Sequence, residues 1–357
     1  MIKITGADLS LEACARVASK GEQVALDESA RNKMGESRDF ILELLKKGER
    51  VYGVTTGFGR LAEVLVPEAD REDLQHNLIR SHSSGVGHSM TAKEVRTIML
   101  LRVNSLARGH SGCRDVVVDL LIEFLNQGVH PVVPQYGSVG ASGDLAPLAH
   151  IGLALIGEGE VEYKEEIRPS LAVLEEIQSA PLRLKEKEGL ALINGTQATT
   201  GLGVLTFLGA QRALDTAEVA GAMSLEALKG TPDPFMKEVQ LARPHEGQIE
   251  SAEKLRQLLR DSEIRESHRE NDKRVQDPYC LRCMPQVHGA ARSVMKYVRE
   301  VLQIEANSTT DNPLVFTEAQ SVVSAGNFHA QIVSQALDFL CVALTDLAAI
   351  SERRIER

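Results

Sequence analysis

The sequence has no tryptophan, and aromatic residues make up only 4% of it. So few rings exclude a base-stacking platform for single-stranded nucleic acid. Positive charge is also in deficit: the net charge is −10 over 357 residues, and an acidic surface repels phosphate backbones and anionic lipid. Cysteine is sparse. Cys14, Cys113 and Cys341 stand alone, and Cys280 and Cys283 form one CxxC. No second CxxC or spaced histidine pair accompanies it, and no strand–helix context of the thioredoxin kind precedes it. The expectation is reduced thiols and no metal. The opening MIKITGADLS lacks a basic segment followed by an apolar run, so no leader is expected there. The late stretch "ALDFLCVALTDLAAI" (336–350) carries two aspartates and is expected to be too short to cross a bilayer. These absences point to a cytoplasmic protein with neither nucleic acid nor membrane as partner.

What is present is mostly helical patterning. "DESARNKMGESRDFILELLKKG" places Phe40, Ile41, Leu44 and Leu45 on one face and ends at Gly48, a natural C-cap. Thr91 followed by Glu94 is a capping-box signature for the helix running toward Gly109, and "CRDVVVDLLIEFLNQG" repeats the pattern up to Gly128. Residues 199–229 and 287–308 read as long helices. Residues 157–187 differ, alternating like a small ribbon before a charged stretch, and residues 261–274 are a charge run expected to form a solvated loop. The chain therefore divides into an N-terminal domain, 1–200, with a peripheral insertion at 157–187, and a helical part, 201–357.

The most unusual stretch is "GSVGASGDLAPLAH" (137–150). Glycines at 137, 140 and 143 admit backbone conformations that a Cβ forbids, and Asp144 with Pro147 fits a helix start, with Asp144 as N-cap. A plain turn is one reading. A phosphate cradle is another, but the spacing is neither GxxxxGK[ST] nor GxGxxG after a strand. A serine nucleophile is a third, yet G-x-S-x-G fails because Gly143 and Asp144 follow Ser142 directly. A fourth uses every small residue. The Gly143 nitrogen attacks the Ala141 carbonyl, two waters leave, and Ser142 becomes an exocyclic methylene conjugated to carbonyls. The helix N-terminus would favour negative charge gathering on such a ring.

This stretch resembles the signature of the aromatic amino acid ammonia-lyases, which carry a 4-methylidene-imidazol-5-one (MIO) group. It does not stand alone. "YGVTTGFG" (52–59), "RSHSSGVGH" (80–88), "LINGTQ" (192–197), "QDPYCLRCMPQVHG" (276–289), "STTDNPLVF" (308–316) and "GNFHAQ" (326–331) resemble family blocks in the family order. The similarity runs from about residue 3 to the end. Within the family, "RSHSSGVG" and "QDPYCLRCMPQVHG" are most similar to the histidine-selective members. The resemblance implies a mainly α fold of the ammonia-lyase/fumarase type, a long-helix bundle with a small N-terminal domain carrying the MIO loop. It also implies a homotetramer with active sites shared between subunits.

The chemistry so implied is elimination of ammonia from L-histidine to give urocanate. That reaction removes a weakly acidic β-proton and expels a poor leaving group, so it needs an electron sink. No metal-ligand spacing and no pyridoxal phosphate lysine motif is evident; the resemblance supplies MIO, formed from Ala141, Ser142 and Gly143. By family position Tyr52 is the base and Tyr279 assists at the prosthetic group. Arg282 clamps the substrate carboxylate, Asn194 and Gln276 donate hydrogen bonds, Phe328 packs on the substrate or ring, and His82 faces the substrate side chain. His88, His110, His150, His245, His288 and His329 are left as structural. Thr55 stands where many relatives have asparagine. Three other functions compete: a tyrosine or phenylalanine lyase or aminomutase using the same group, a serine hydrolase, and a non-catalytic helical scaffold.

From Phe328 onward the chain reads as one amphipathic helix, with Ile332, Val333, Leu337, Leu340, Leu344 and Leu347 near one face and no Gly, Asn or Pro to end it. Family members run beyond residue 357. The expectation is a truncated chain or one half of a split enzyme, the latter needing a separate C-terminal polypeptide as partner.

Overall fold

The structure is a computed structural model that describes residues 1–270, 272 and 274–357. It is mainly helical, and the chain divides into two compact units. Met1–Leu205 with Leu302–Val333 form the first, and Thr206–Val301 with Ser334–Arg357 form the second. Segment 302–333, which local pattern kept with the C-terminal part, thus belongs to the first unit. It is tied there by pairings distant in sequence: Val315 N donates to His110 O at 2.9 Å, and Asn307 Oδ1 accepts from Leu9 N at 2.8 Å.

In the first unit, local signals set the helix ends. The Asp27 side chain accepts from Ser29 N to open Glu28–Lys47, which closes on Gly48 at φ 70°. Thr91 and Glu94 form a complete capping box for Ala92–Ala107, and Gly128 ends Asp115–Gln127 at φ 72°. Ala92–Ala107 is buried on every side from Val95 onward, so it runs through the middle of the unit rather than along its surface. Leu11–Lys20, Glu28–Lys47 and Asp115–Gln127 pack against it. The expected ribbon is present, Glu160–Tyr163 pairing antiparallel with Glu166–Pro169. It is not merely appended, because His130–Pro131 pairs with its inner strand and Val161, Tyr163, Val173 and Leu174 are buried.

In the second unit, Ala222, Leu225, Phe235, Ala252, Leu255, Leu259, Cys280, Leu281, Met284 and Ile350 make one core cluster. Glu218, fully buried, is held by Arg292 and Lys254. The charge run contains a short helix, Glu263–Glu266, capped by Ser262; its positions 271 and 273 lie outside the described residues. The helix Gln331–Ile355 corrects two expectations. At 25 residues and mean hydropathy 1.6 over its most apolar window, it is long and apolar enough to cross a membrane by length and composition alone. A core helix of a soluble protein meets the same criterion. Its buried face is Val333, Ala336, Leu340, Ala343, Leu347 and Ile350, while Ile332 is 51% exposed. Burial repeats at steps of three and four, and Ile332 falls one position off that stripe.

Candidate active site

The Ala141–Ser142–Gly143 turn is pinned at both ends. Gly140 (φ 75°) and Gly143 (φ 86°) occupy the left-handed region and bridge to each other across the turn, a conformation favouring glycine. On one side Gly140 O accepts from Ala330 N at 3.0 Å. On the other, Gly195 O accepts from Asp144 N at 2.7 Å. A Cβ on Gly143 would lie 2.9 Å from Gly195 O and 3.4 Å from Asn194 Oδ1, so no larger residue fits there. Ala141 and Ser142 are exposed.

Asp144 does not cap the helix that follows it, as its position suggested. It is fully buried, and its carboxylate reaches across to another helix start. Oδ2 accepts from Thr199 N and Oδ1 from Thr199 Oγ1, both at 2.7 Å, with Ser138 Oγ donating as well. Burial pushes its carboxyl above the usual range, against these hydrogen bonds, which favour the ionised form. The long helix Gln197–Ala227 therefore takes its cap from the glycine loop.

Asn194 is buried beside Gly143 and donates from Nδ2 to Asn312 O at 3.1 Å. Phe328 sits in the turn 326–330, two residues before the Ala330 N–H that holds Gly140. Tyr52, part-buried, opens a glycine-rich loop. Its Oη accepts from Gly59 N at 3.2 Å, and its ring meets Phe58 edge-on with centroids 6.1 Å apart. Thr55 is buried in that loop; its hydroxyl accepts from Val51 N at 2.8 Å and donates to Glu49 O at 2.9 Å. Threonine here closes the loop on itself.

His82 ends the helix Arg71–His82. Its Nδ1 lies 2.9 Å from Leu78 O and 3.0 Å from Ser81 Oγ; a hydrogen bond to the carbonyl places the proton on Nδ1 and makes Nε2 the acceptor of the neutral ring. Three of the histidines left as structural have backbone partners in the first unit, His329 Nδ1 accepting from Gln331 N at 3.2 Å. His150 Nε2 accepts from Gly85 N at 3.1 Å, and His110 Nδ1 lies 2.9 Å from Val315 O.

The second unit carries the remaining candidates. Gln276 is exposed in the segment before the short helix Tyr279–Arg282. Tyr279 is 72% exposed, and the Arg282 guanidinium lies over its ring, 4.6 Å from the centroid. Arg282 Nε donates to Asp277 O at 2.9 Å. Its two terminal nitrogens have no acceptor among the described residues, so the fork is directed by stacking and one carbonyl rather than by an ion pair. Cys280 and Cys283 are free thiols. Among the described residues no group of three or more His, Cys, Asp or Glu could hold a metal ion.

Sequence reasoning missed the support layer: Arg102, Gln197 and Thr310 behind Asn194, and the fully buried pair Lys187–Asp311 at 2.6 Å. The one available signal was polar residues inside an otherwise apolar helix, as at Arg102.

The arrangement matches known proteins over its whole length. A family described as aromatic amino acid lyase matches residues 9–357. The chain belongs to the aromatic amino acid lyase family. A histidine ammonia-lyase of Stigmatella aurantiaca is 51% identical over 356 residues, covering 100% of this chain and 70% of the relative. One from Bacillus anthracis is 46% identical with the same coverage. Among solved structures, a tyrosine aminomutase from Streptomyces globisporus superposes with TM-score 0.93 at 39% identity, covering 100% of this chain and 70% of that one. A Trypanosoma cruzi histidine ammonia-lyase gives TM-score 0.91 at 38% identity, covering 99% and 66%. The fold class of this lyase-family chain is thereby shown to be the mainly helical ammonia-lyase type.

Proposed function

We propose that this member of the family is a histidine ammonia-lyase, converting L-histidine to trans-urocanate and ammonia, with MIO formed from Ala141, Ser142 and Gly143. The observation that carries the reading is the pinned left-handed turn. Gly143 has no room for a side chain, and the residues flanking the tripeptide, Gly140 and Asp144, are hydrogen-bonded to other segments. The residues fit the group: Ser142 projects from an otherwise constrained tripeptide at the mouth of the helix Leu145–Leu155. When formed, the group supplies an electrophile that draws electrons from the substrate.

The chain's own residues do the rest. Arg282 binds the substrate carboxylate with the two terminal nitrogens, which no acceptor among the described residues engages. Tyr52 takes the β-proton; the C–N bond breaks, and ammonia leaves with the pair of electrons. The Gly59 N–H donates to the phenol oxygen at 3.2 Å and so orients it. Tyr279 assists at the prosthetic group, Gln276 and Asn194 donate hydrogen bonds, and Phe328 packs against the ring. His82 Nε2 accepts from the substrate imidazole N–H. The same reading includes a cytoplasmic homotetramer.

Two variants and one assay test this. Incubation with L-histidine, L-tyrosine and L-phenylalanine, followed by absorbance of the conjugated acrylate, is expected to show histidine as the preferred substrate; preference for either of the others supports the lyase or aminomutase alternative. His82→Leu is expected to lower kcat/KM for histidine relative to phenylalanine by roughly 10-fold, about the net worth of one buried hydrogen bond. Unchanged selectivity would remove His82 from the pocket. Arg282→Met is expected to raise KM and cost about 2–5 kcal/mol in kcat/KM, as when one partner of a desolvated charge pair is truncated. Parental kinetics would put the carboxylate clamp on another residue.

A further inference from the structure

Arg102 lies in the buried helix Ala92–Ala107 and is 1% exposed. No carboxylate lies within ion-pairing distance of it among the described residues, and its Nε has no partner. Burying a cation without a counter-ion is costly, so the contacts it does make are informative. Nη1 donates to Asn194 O at 3.0 Å and to Gln197 Oε1 at 2.7 Å, and Nη2 donates to Ala191 O. Every acceptor belongs to the segment 191–197. Three acceptors shared between two terminal nitrogens suit a guanidinium fork, which a lysine ammonium cannot reproduce.

That segment is the wall behind the glycine turn. A Cβ on Gly195 would fall 2.3 Å from Arg102 Nη1, so the guanidinium packs directly on this glycine. Gly195 also meets Gly143, whose own Cβ would fall 2.9 Å from Gly195 O and 3.1 Å from Gly195 N. Gly195 therefore touches both Arg102 and the glycine turn, and its carbonyl accepts from Asp144 N at 2.7 Å. Thr310 Oγ1 accepts from Gln197 Nε2 at 2.7 Å and so turns Gln197 Oε1 toward Arg102. This gives "STTDNPLVF" a role that substrate chemistry does not.

We propose that Arg102 is a positioning residue for the backbone cyclisation of Ala141–Ser142–Gly143, holding Asn194–Gly195 as the rigid surface against which the turn is compressed. This rests on the reading of the tripeptide as the precursor of MIO. In the step concerned, the Gly143 nitrogen bonds to the Ala141 carbonyl carbon, and the carbonyl oxygen leaves as water with the amide hydrogens of Gly143 and Ser142, leaving a C=N bond to the Ser142 nitrogen. The Ser142 hydroxyl leaves as a second water with the hydrogen from its Cα. No oxidant or reductant is needed. The demand is geometric: nitrogen and carbonyl carbon must be held at attack distance, and a wall that yields by about 1 Å costs on the order of 100-fold in rate.

The test follows the intact mass of the denatured full chain with time after synthesis, alongside circular dichroism and thermal melting of the native protein. The parent is expected to lose two waters. Arg102→Lys and Arg102→Gln are expected to keep parental helix content while the two-water deficit accumulates about 100-fold more slowly. Arg102→Lys retains the charge, so slow maturation in it assigns the effect to the fork. A folded Arg102→Lys maturing at the parental rate overturns the proposal. If both Arg102 variants fail to fold, Thr310→Val decides: it leaves Arg102 intact and frees the Gln197 amide. Slowed maturation in that variant supports the proposal, and parental maturation overturns it. A parent with no deficit at all overturns the cyclisation reading itself, and Arg102's part falls with it.

Discussion

Ser142→Ala is expected to fold like the parent, to keep the full mass of the encoded chain, and to lose histidine turnover by roughly 10⁴–10⁶-fold, as when a reacting centre is removed from other enzymes. The expectation of normal folding comes from position. Ser142 is exposed and its hydroxyl has no hydrogen-bond partner among the described residues. The contacts that shape the turn are made by Gly140, Gly143 and Asp144 instead. The loss of turnover comes from chemistry, since alanine has no hydroxyl to leave and no methylene can form. Intact mass and turnover must change together. A Ser142→Ala protein that deaminates histidine near the parental rate, or that still shows the two-water deficit, would end the MIO reading.

Tyr52→Phe is expected to lower kcat by about 10²–10⁴-fold, the usual worth of a positioned acid or base, while leaving KM within a few fold. Phenylalanine keeps the edge-on contact with Phe58 and removes only the oxygen that meets Gly59 N, so the loop should hold its shape. The two-water deficit should be untouched, which separates this variant from Ser142→Ala. The decisive measurement is exchange of the substrate β-proton with solvent deuterium. Parental exchange in Tyr52→Phe would transfer the base role elsewhere, with Tyr279 as the first candidate.

How much of this was legible beforehand depends on the distance over which each interaction acts. The capping box at Thr91 and Glu94, the Asp27 cap and the glycine stops at 48 and 128 involve residues within four positions of one another. Such features follow from local backbone requirements and can be read directly. The tripeptide and its small flanking residues were legible for a similar reason: a left-handed turn favours glycine wherever it occurs. Asp144 misled because its local environment suggested a cap for its own helix, whereas its partner is Thr199, 55 positions away. The last helix misled in its length, since apolar residues alone do not mark where a helix starts.

By itself, then, the sequence determined the presence of the helices, the ends set by Gly48, Thr91 and Gly128, the glycine-rich turn and the family blocks. Each of these is encoded by periodicity, by capping chemistry or by residue types that few conformations accept. Only the tertiary structure decided what holds the turn: Ala330 on Gly140, the Asn194–Gly195 wall on Gly143, and Arg102 behind that wall. It also decided that residues 302–333 fold back into the first unit. The physical reason is that a buried polar group must find a partner wherever the chain brings one. For Arg102 that partner lies about ninety positions away, and neither helical nor strand periodicity carries information over such a separation.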